Sequence, residues 1–469
     1  MSTASLLLAV DPVPWARAQM AFTLAVHIVL VPLGVSWACM ALIAHARGLR
    51  RGDADALRLA RHWSKCMAVT FAVGAVTGTV LTFEFGLLWP HFMDRFGPAF
   101  GIPFAIEGLF FFTEAIFIAI YIYGWKRLSP WVHWWTGVPV VLAGIGGTVS
   151  VVAANAWMNE PAGFTLDAAG RVASVDPLAL IFNAAMPLQT AHMLLAAYVV
   201  GGFLVASVYA AALLRGQRER YQRLGFLIPF SVAALAMPAQ MLVGDLLARR
   251  LHTHEPIKFA AIELVQATSS DVPEFLLGRL QEDGSVQGGL AIPGLASWLA
   301  DHRTGRATVI QGLSDFPADE RPTTAEVNVV HWAWDVMVAL GSALFALSLW
   351  FGASWLRRRD LPRSAWFLRG AAAAGVAAVV SMEAGWVVTE VGRQPWILVG
   401  HMKVAQAATG DETVRLTFLV VVGLYLALAC TLVWILRVMA RRFREGDERI
   451  EDAPYGPQDP DEPAAERRP

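Results

Sequence analysis

Long apolar stretches alternate along the chain with short polar connections, many of them rich in arginine. About 20 apolar residues in a helix cross the roughly 30 Å hydrocarbon core of a bilayer. A spanning segment must also pair its backbone groups internally, which selects helices. The pattern predicts nine spans, at 15–44, 66–88, 100–124, 132–157, 180–214, 224–247, 327–356, 366–390 and 414–440. The expected class is an all-α integral membrane protein with nine transmembrane helices. No internal repeat is visible.

The basic residues of the connections orient the bundle, because lysine and arginine gather on the cytoplasmic side. Arg47, Arg50, Arg51, Arg58, Arg61 and Lys65 are expected in the first connection, Lys126 and Arg127 in the third, and Arg215, Arg218, Arg220 and Arg223 in the fifth. Arg357, Arg358, Arg359 and Arg363 fall in the seventh, and Arg441, Arg442 and Arg444 follow the last span, whereas the second and fourth carry only Arg95 and Arg171. The N-terminus is therefore expected outside and the C-terminus in the cytoplasm. Residues 1–446 form the expected membrane domain. Within it, 248–326 is a long outer loop without convincing periodicity, of a length usually reserved for function or disorder. Residues 447–469 are too polar to order themselves and read as a disordered cytoplasmic tail. The first residues lack a basic segment and a small-residue cleavage pattern, so they are expected to be retained.

Composition agrees: 56% of the 469 residues are hydrophobic, 16% are charged and the mean hydropathy is +0.49, too apolar for a soluble domain. A net charge of -1 argues against nucleic acid, which needs a basic face. Cys39, Cys66 and Cys430 stand singly in apolar runs and read as small core residues.

Chemistry is therefore sought among polar groups inside the spans, where each is expensive and tends to have a partner or a task. His27, Glu107, Glu114, His192, Met337 and Glu383 are the candidates. Taken singly each has a plain alternative: a histidine or carboxylate can bond a neighbouring helix, and methionine is a common core filler. Glu107 and Glu114, seven residues apart, share a helix face suited to a proton relay or a structural pair. Counted inward at about 1.5 Å per residue, His27, His192 and Met337 lie roughly 15–18 Å from the outer helix ends and Glu383 roughly 12 Å. One layer of imidazole, thioether and carboxylate fits haem iron, whose charge would neutralise a buried carboxylate.

The segments AQMAFTLAVHIVLVPLG, FGIPFAIEGLFFFTEAIF, VAANAWMNEP, KFAAIE and MEAGWVVTEVGRQPW occur in this order. Over nearly all nine spans the chain resembles subunit I of the cytochrome bd quinol oxidases. FEFGLLWP, the Glu107–Glu114 spacing and the short outer loop look closer to the cyanide-insensitive branch. The resemblance implies two b-type haems and one haem d, or a third b-type haem. It implies that His192 and Met337 ligate the low-spin b haem and that His27 and Glu383 serve the other two. Glu107 and Glu114 match carboxylates of proton delivery and the dihaem pocket, Lys258 and Glu263 match quinol-binding residues, and Arg393 matches a residue near haem propionates. Two departures stand out: Asp335 replaces an arginine, and TFEFG, carrying Glu84, replaces EFQFG.

The implied function is quinol oxidation at the outer face with reduction of dioxygen to water, generating a proton motive force. A second membrane subunit, membrane quinol and dioxygen are the implied partners, and the bacterial cytoplasmic membrane the implied location. Two other readings remain open on the residues alone: a proton-coupled transporter without haem, and a dihaem quinol cytochrome that does not reduce dioxygen.

Overall fold

The computed structural model describes residues 11–302, 308–362 and 364–444. Arg363 and the tail 447–469 therefore lie outside the described residues. Among the described residues nine helices are long and apolar enough to cross a membrane. They are α1 Pro12–Arg51, α2 Ala54–Leu88, α3 Pro90–Gly124, α4 Pro130–Asn159, α5 Met186–Leu214, α6 Arg220–His254, α7 Thr324–Arg358, α8 Ala365–Val391 and α9 Val414–Arg444.

Each expected span lies within or largely within one of these helices, and most helices run further. An apolar run marks where lipid begins, whereas a helix continues until its backbone is capped. Asp53 caps α2 by accepting from the backbone of Ala56, so α2 starts well before 66 and carries Arg58, Arg61 and Lys65 on its first turns. Gly52, at φ 59, ends α1 in the left-handed conformation glycine adopts freely. The fifth helix starts later than expected, at Met186, because Leu180 belongs to a separate short helix, Pro177–Ile181.

α1 packs along α2, α5 along α6 and along α8, α7 along α8, and α3 along α4, while α9 lies on α1 and α2. α1 and α5 approach so closely that a Cβ on Gly201 would fall 1.7 Å from Ser36 Oγ. Only glycine fits there. Phe203, Phe226, Phe230 and Phe367 fill the core between α5, α6 and α8. Apolar side chains on the outer flanks, such as Leu109 and Phe112 of α3 and Leu416, Leu419 and Trp434 of α9, are exposed. Cys430 is exposed on α9, unlike the core position expected of it.

The two ends of the bundle differ. At one end the connections are tight, and Asp53 accepts from Arg47 at 3.0 Å and Arg220 at 2.6 Å while Arg223 pairs with Asp360 at 2.6 Å. At the other, long connections interlock: Val399 N donates to Met158 O at 3.1 Å, Thr409 N to Leu88 O at 2.9 Å, and Lys403 pairs with Asp319 at 2.7 Å.

The loop between α6 and α7 is more ordered than its pattern indicated. After the pair β1 (Phe164–Leu166) with β2 (Val172–Val175) in the α4–α5 connection, it holds a helix Pro256–Ile262, the antiparallel pairs β3 (Glu274–Leu276) with β6 (Leu290–Ile292) and β4 (Arg279–Leu280) with β5 (Val286–Gln287), and a helix Leu295–Asp301. Two- and three-residue strands are too short to show alternation in the sequence. Phe259, Ile262, Leu264, Ile310 and Leu313 pack with Val327 and Val330 of α7 and Val388 of α8, which fixes the loop to the bundle.

Candidate functional site

His27, His192, Met337, Glu107 and Glu114 lie at helix contacts made close by glycine. His27 of α1 faces α2, where a Cβ on Gly78 would sit 3.0 Å from its Cε1, and its Nδ1 is 2.9 Å from Thr77 Oγ1. With one ring nitrogen engaged by a hydroxyl, the other is left for a ligand, the usual arrangement of a metal-binding histidine. Tyr425 of α9 donates to Thr77 O at 3.0 Å and ties a third helix to this point.

His192 of α5 lies against Gly244 of α6, 3.3 Å from an added Cβ. Its Nε2 is 3.2 Å from the Gln240 amide nitrogen, while its buried Nδ1 has no partner among the described residues. Met337 of α7 meets α8: Ser381 Oγ donates to Met337 O at 3.0 Å, and Met337 Sδ would be 3.0 Å from a Cβ on Gly385. Glu383 lies on α8 between Ser381 and Gly385, about 200° around the helix from each, and its buried Oε1 has no partner among the described residues. Thus Met337 lies at the α7–α8 contact, His192 at the α5–α6 contact and His27 at the α1–α2 contact. Among the described residues no hydrogen bond joins any two of the four. Buried polar atoms are normally partnered, so unpartnered nitrogen and oxygen on residue types that bind haem iron form a donor set that fits that group.

Glu107 and Glu114 of α3 both face α4: Glu114 Oε1 would be 3.7 Å from a Cβ on Gly144 and Glu107 Cγ 4.0 Å from one on Gly147. This agrees with the shared face expected of them. Glu84 differs. It is 2% exposed and accepts from Gln19 Nε2 at 2.7 Å and Thr23 Oγ1 at 2.6 Å, so its carboxyl is occupied by α1.

At the end of the bundle that carries the long loop, three sequence motifs join in one chain of hydrogen bonds. Lys258, 5% exposed, donates to Glu255 and, at 2.7 Å, to Asn159 Oδ1. Asn159 Nδ2 donates to Asn155 O at 2.9 Å, Asn155 Nδ2 to Glu390 Oε1 at 2.6 Å, and Arg393 Nη2 to Glu390 Oε2 at 2.6 Å. KFAAIE, VAANAWMNEP and GRQPW are thus parts of one structure. Arg393 is 6% exposed and keeps Nε and Nη1 without partners among the described residues, two donors in the fork geometry that binds a carboxylate.

Glu263 lies at the other end of the short helix from Lys258, and the two do not pair. Five residues on a helix turn through about 140°, so they face different neighbours. Glu263, 4% exposed, and Glu274 of β3, 7% exposed, each keep a buried Oε2 that no described group partners, and the negative charges of Glu274 and of Asp335 of α7 act on Glu263. Asp335 accepts from Leu277 N at 2.6 Å and lies 3.5 Å from His331 Nε2, while His331 Nδ1 is 2.7 Å from Ile262 O. Burial, reinforced by the negative charge of Glu274 and then of Asp335, pushes the Glu263 carboxyl far above the ordinary carboxylate range. Burial also pushes Glu274 up. Asp335, the departure noted in the sequence, anchors the loop to α7.

Sequence reasoning missed Glu274, His331 and Glu390. Glu390 sits inside the quoted MEAGWVVTEVGRQPW segment and could have been read with it. Glu274 lies in a loop without pattern, and its meeting with Glu263 is purely tertiary.

The family model of cytochrome bd terminal oxidase subunit I matches residues 15–444. The cytochrome bd ubiquinol oxidase subunit 1 of Bacillus subtilis (strain 168) is 30% identical over 451 residues, covering 92% of this chain and 94% of the relative. The cytochrome bd-II ubiquinol oxidase subunit 1 of Escherichia coli (strain K12) is 26% identical, covering 92% and 96%. The bd oxidase structure from Geobacillus thermodenitrificans aligns with a TM-score of 0.84 at 37% identity, covering 92% of this chain and 99% of that one.

Proposed function

Since the chain belongs to the cytochrome bd terminal oxidase subunit I family, the haem-bearing catalytic subunit of a quinol oxidase in the bacterial membrane, we propose how its residues divide the work. His192 and Met337 hold a low-spin b-type haem, and His27 and Glu383 hold a second b-type haem and a haem d or third b. The haem irons, when bound, supply electron transfer and the reduction of dioxygen. Arg393 is placed to pair a haem propionate through its two unpartnered donors.

The chain's own residues handle binding and protons. Glu263, buried and with a strongly raised proton affinity, takes a proton from the quinol hydroxyl, as a general base must. Lys258, held by Glu255 and Asn159, couples the loop to the Arg393 turn and so positions the quinol-binding site to which the resemblance assigns it. Glu107 and Glu114 conduct protons inward along the α3–α4 face. With the long loop outside and the Arg-rich end in the cytoplasm, quinol protons leave on one side and the protons of water formation enter from the other. A second membrane subunit covers part of the exposed apolar flank.

The observation that carries this reading is the coincidence of unpartnered buried donors with haem-binding residue types at His192 and Glu383. The absorption spectrum of the purified complex, with quinol-driven oxygen uptake on the same preparation, tests it. Low-spin and high-spin haem bands with quinol-dependent uptake are expected. A haem-free protein would favour the transporter, and b-haem bands without uptake the dihaem cytochrome.

A further inference from the structure

The Arg-rich end of the bundle holds a cleft that the haem and quinol chemistry does not use. It lies where α3 ends at Gly124, has a volume of ≈ 270 Å³ and is lined by Arg61, Lys65, Lys126 and Arg127 together with Ser64 and Tyr123. Arg61 and Lys65, four residues apart on α2, share one helix face, and Lys126 and Arg127 follow the last turn of α3. No carboxylate is among the described residues that line it. Charges within about 8 Å act together at physiological salt, so four cations around one hollow make it a site for an anion. The end of α9 comes to the same place. Phe443 meets the His62 ring edge-on at 4.3 Å, lies 5.1 Å from the Tyr221 ring and takes the Arg58 guanidinium at 5.8 Å. His62 stands between Arg61 and Lys65 in the sequence of α2. Beyond Arg444 the chain continues as EGDERIED, residues 445–452, with five carboxylates against one arginine.

We propose that this cleft is the docking site of the chain's own acidic segment 445–452, whose carboxylates enter among Arg61, Lys65, Lys126 and Arg127 and fasten the end of α9 across α2 to the end of α3. Residues 445–452 lie outside the described residues; the walls of the cleft, the position of Phe443 and the charge of EGDERIED assign the segment its place. Its reach suffices. Eight residues span at most about 26–29 Å, and neighbouring helices lie about 8–10 Å apart, so the segment crosses from α9 to α3 with residues to spare. α9 packs on α1 and α2, and docking adds α3 to that seam. A phospholipid headgroup carries charge of the same sign, but the segment is held covalently beside the cleft, which raises its effective concentration there.

Carbodiimide coupling on the assembled oxidase tests this. The reagent joins a carboxylate to a lysine amine as an amide, itself taking up the water that is lost, and mass spectrometry of the digest identifies the joined residues. Lys65 and Lys126 should couple to carboxylates of 445–452 at low salt and several-fold less at high salt. The pair Lys403–Asp319, 2.7 Å apart, is the internal control. Coupling at the control with none from Lys65 or Lys126 to the segment overturns the docking. Arg61→Gln combined with Arg127→Gln removes two of the four cations and alters neither lysine nor the segment. Both couplings should then fall several-fold; an unchanged yield would reflect only the collisions of a tethered chain and overturns the docking as well. The same coupling in phosphatidylcholine nanodiscs, with and without phosphatidylglycerol, addresses the other occupant. It should persist in both, and coupling lost when the anionic lipid is present assigns the cleft to a lipid headgroup and overturns the segment's place in it.

Discussion

Glu84 and Glu383 are both carboxylates on membrane-spanning helices, yet their surroundings are opposite. Around Glu84, α1 supplies an amide and a hydroxyl, and Thr417 of α9 donates in turn to Gln19 Oε1 at 3.1 Å, closing the network. Around Glu383, no described group donates to the buried Oε1. The same contrast recurs at the loop end, where Lys258, Asn159, Asn155, Glu390 and Arg393 match donor to acceptor while Glu263 and Glu274 bring acceptors alone. A partnered buried acid holds helices together. An unpartnered one keeps its valence for something the polypeptide does not supply, and leaving it empty would cost about 1–3 kcal/mol or more.

The strongest break in the comparison is Glu383→Gln. The amide keeps the shape but is a poorer iron ligand and brings no balancing charge, so oxygen uptake should fall to background while quinol still reduces the low-spin haem. Normal uptake would make Glu383 structural, like Glu84. Next in size is Met337→Leu, which conserves volume at a cost usually under about 1.5 kcal/mol but removes the sulfur donor. Its optical spectrum should show the low-spin haem converted to another spin state, and an unchanged spectrum would remove Met337 from the ligand set.

Glu84→Gln sharpens the contrast from the other side. Oxygen uptake should stay close to wild type, and the thermal midpoint should drop by an amount corresponding to about 1–3 kcal/mol, the range for leaving a buried hydrogen-bonding group unsatisfied. A collapse of uptake would place Glu84 in the chemistry. The smallest effect is expected at the opposite end of the bundle. Burial pushes the Asp53 carboxyl up, but Arg220, Arg47 and the Ala56 N–H outweigh it and hold the group below its ordinary value. A depressed folded-state pKa adds stability above the unfolded value, about 3.9, and loses it as pH falls through the folded one. Asp53→Asn should therefore lower the thermal midpoint slightly at neutral pH and differ less from wild type under acid. A difference that grows toward acid would contradict the pairing.

Much of this was legible in the sequence and some could not be. Long apolar runs are long-range averages, so the nine spans survive errors at their ends. The ends themselves depend on caps such as Asp53 and Gly52 and on amphipathic turns that hydropathy does not register. His27, His192, Met337 and Glu383 were visible because polar or soft donors stand out in apolar runs, and GRQPW because the segment is distinctive. The loop was opaque for a physical reason: its strands are two or three residues long and its order comes from Phe259, Ile262 and Leu313 packing onto α7 and α8. Whether a given buried carboxyl is partnered is likewise a tertiary fact. Nothing local distinguishes Glu84 from Glu383.

Haem stoichiometry per polypeptide, determined in parallel on purified E383Q and E84Q complexes, tests the central claim most directly. An unpartnered carboxyl that serves as a ligand requires that E383Q lose one haem or change its spin state while E84Q keeps the full complement. Full, spectrally normal haem content in E383Q, or haem loss in E84Q, would contradict the account.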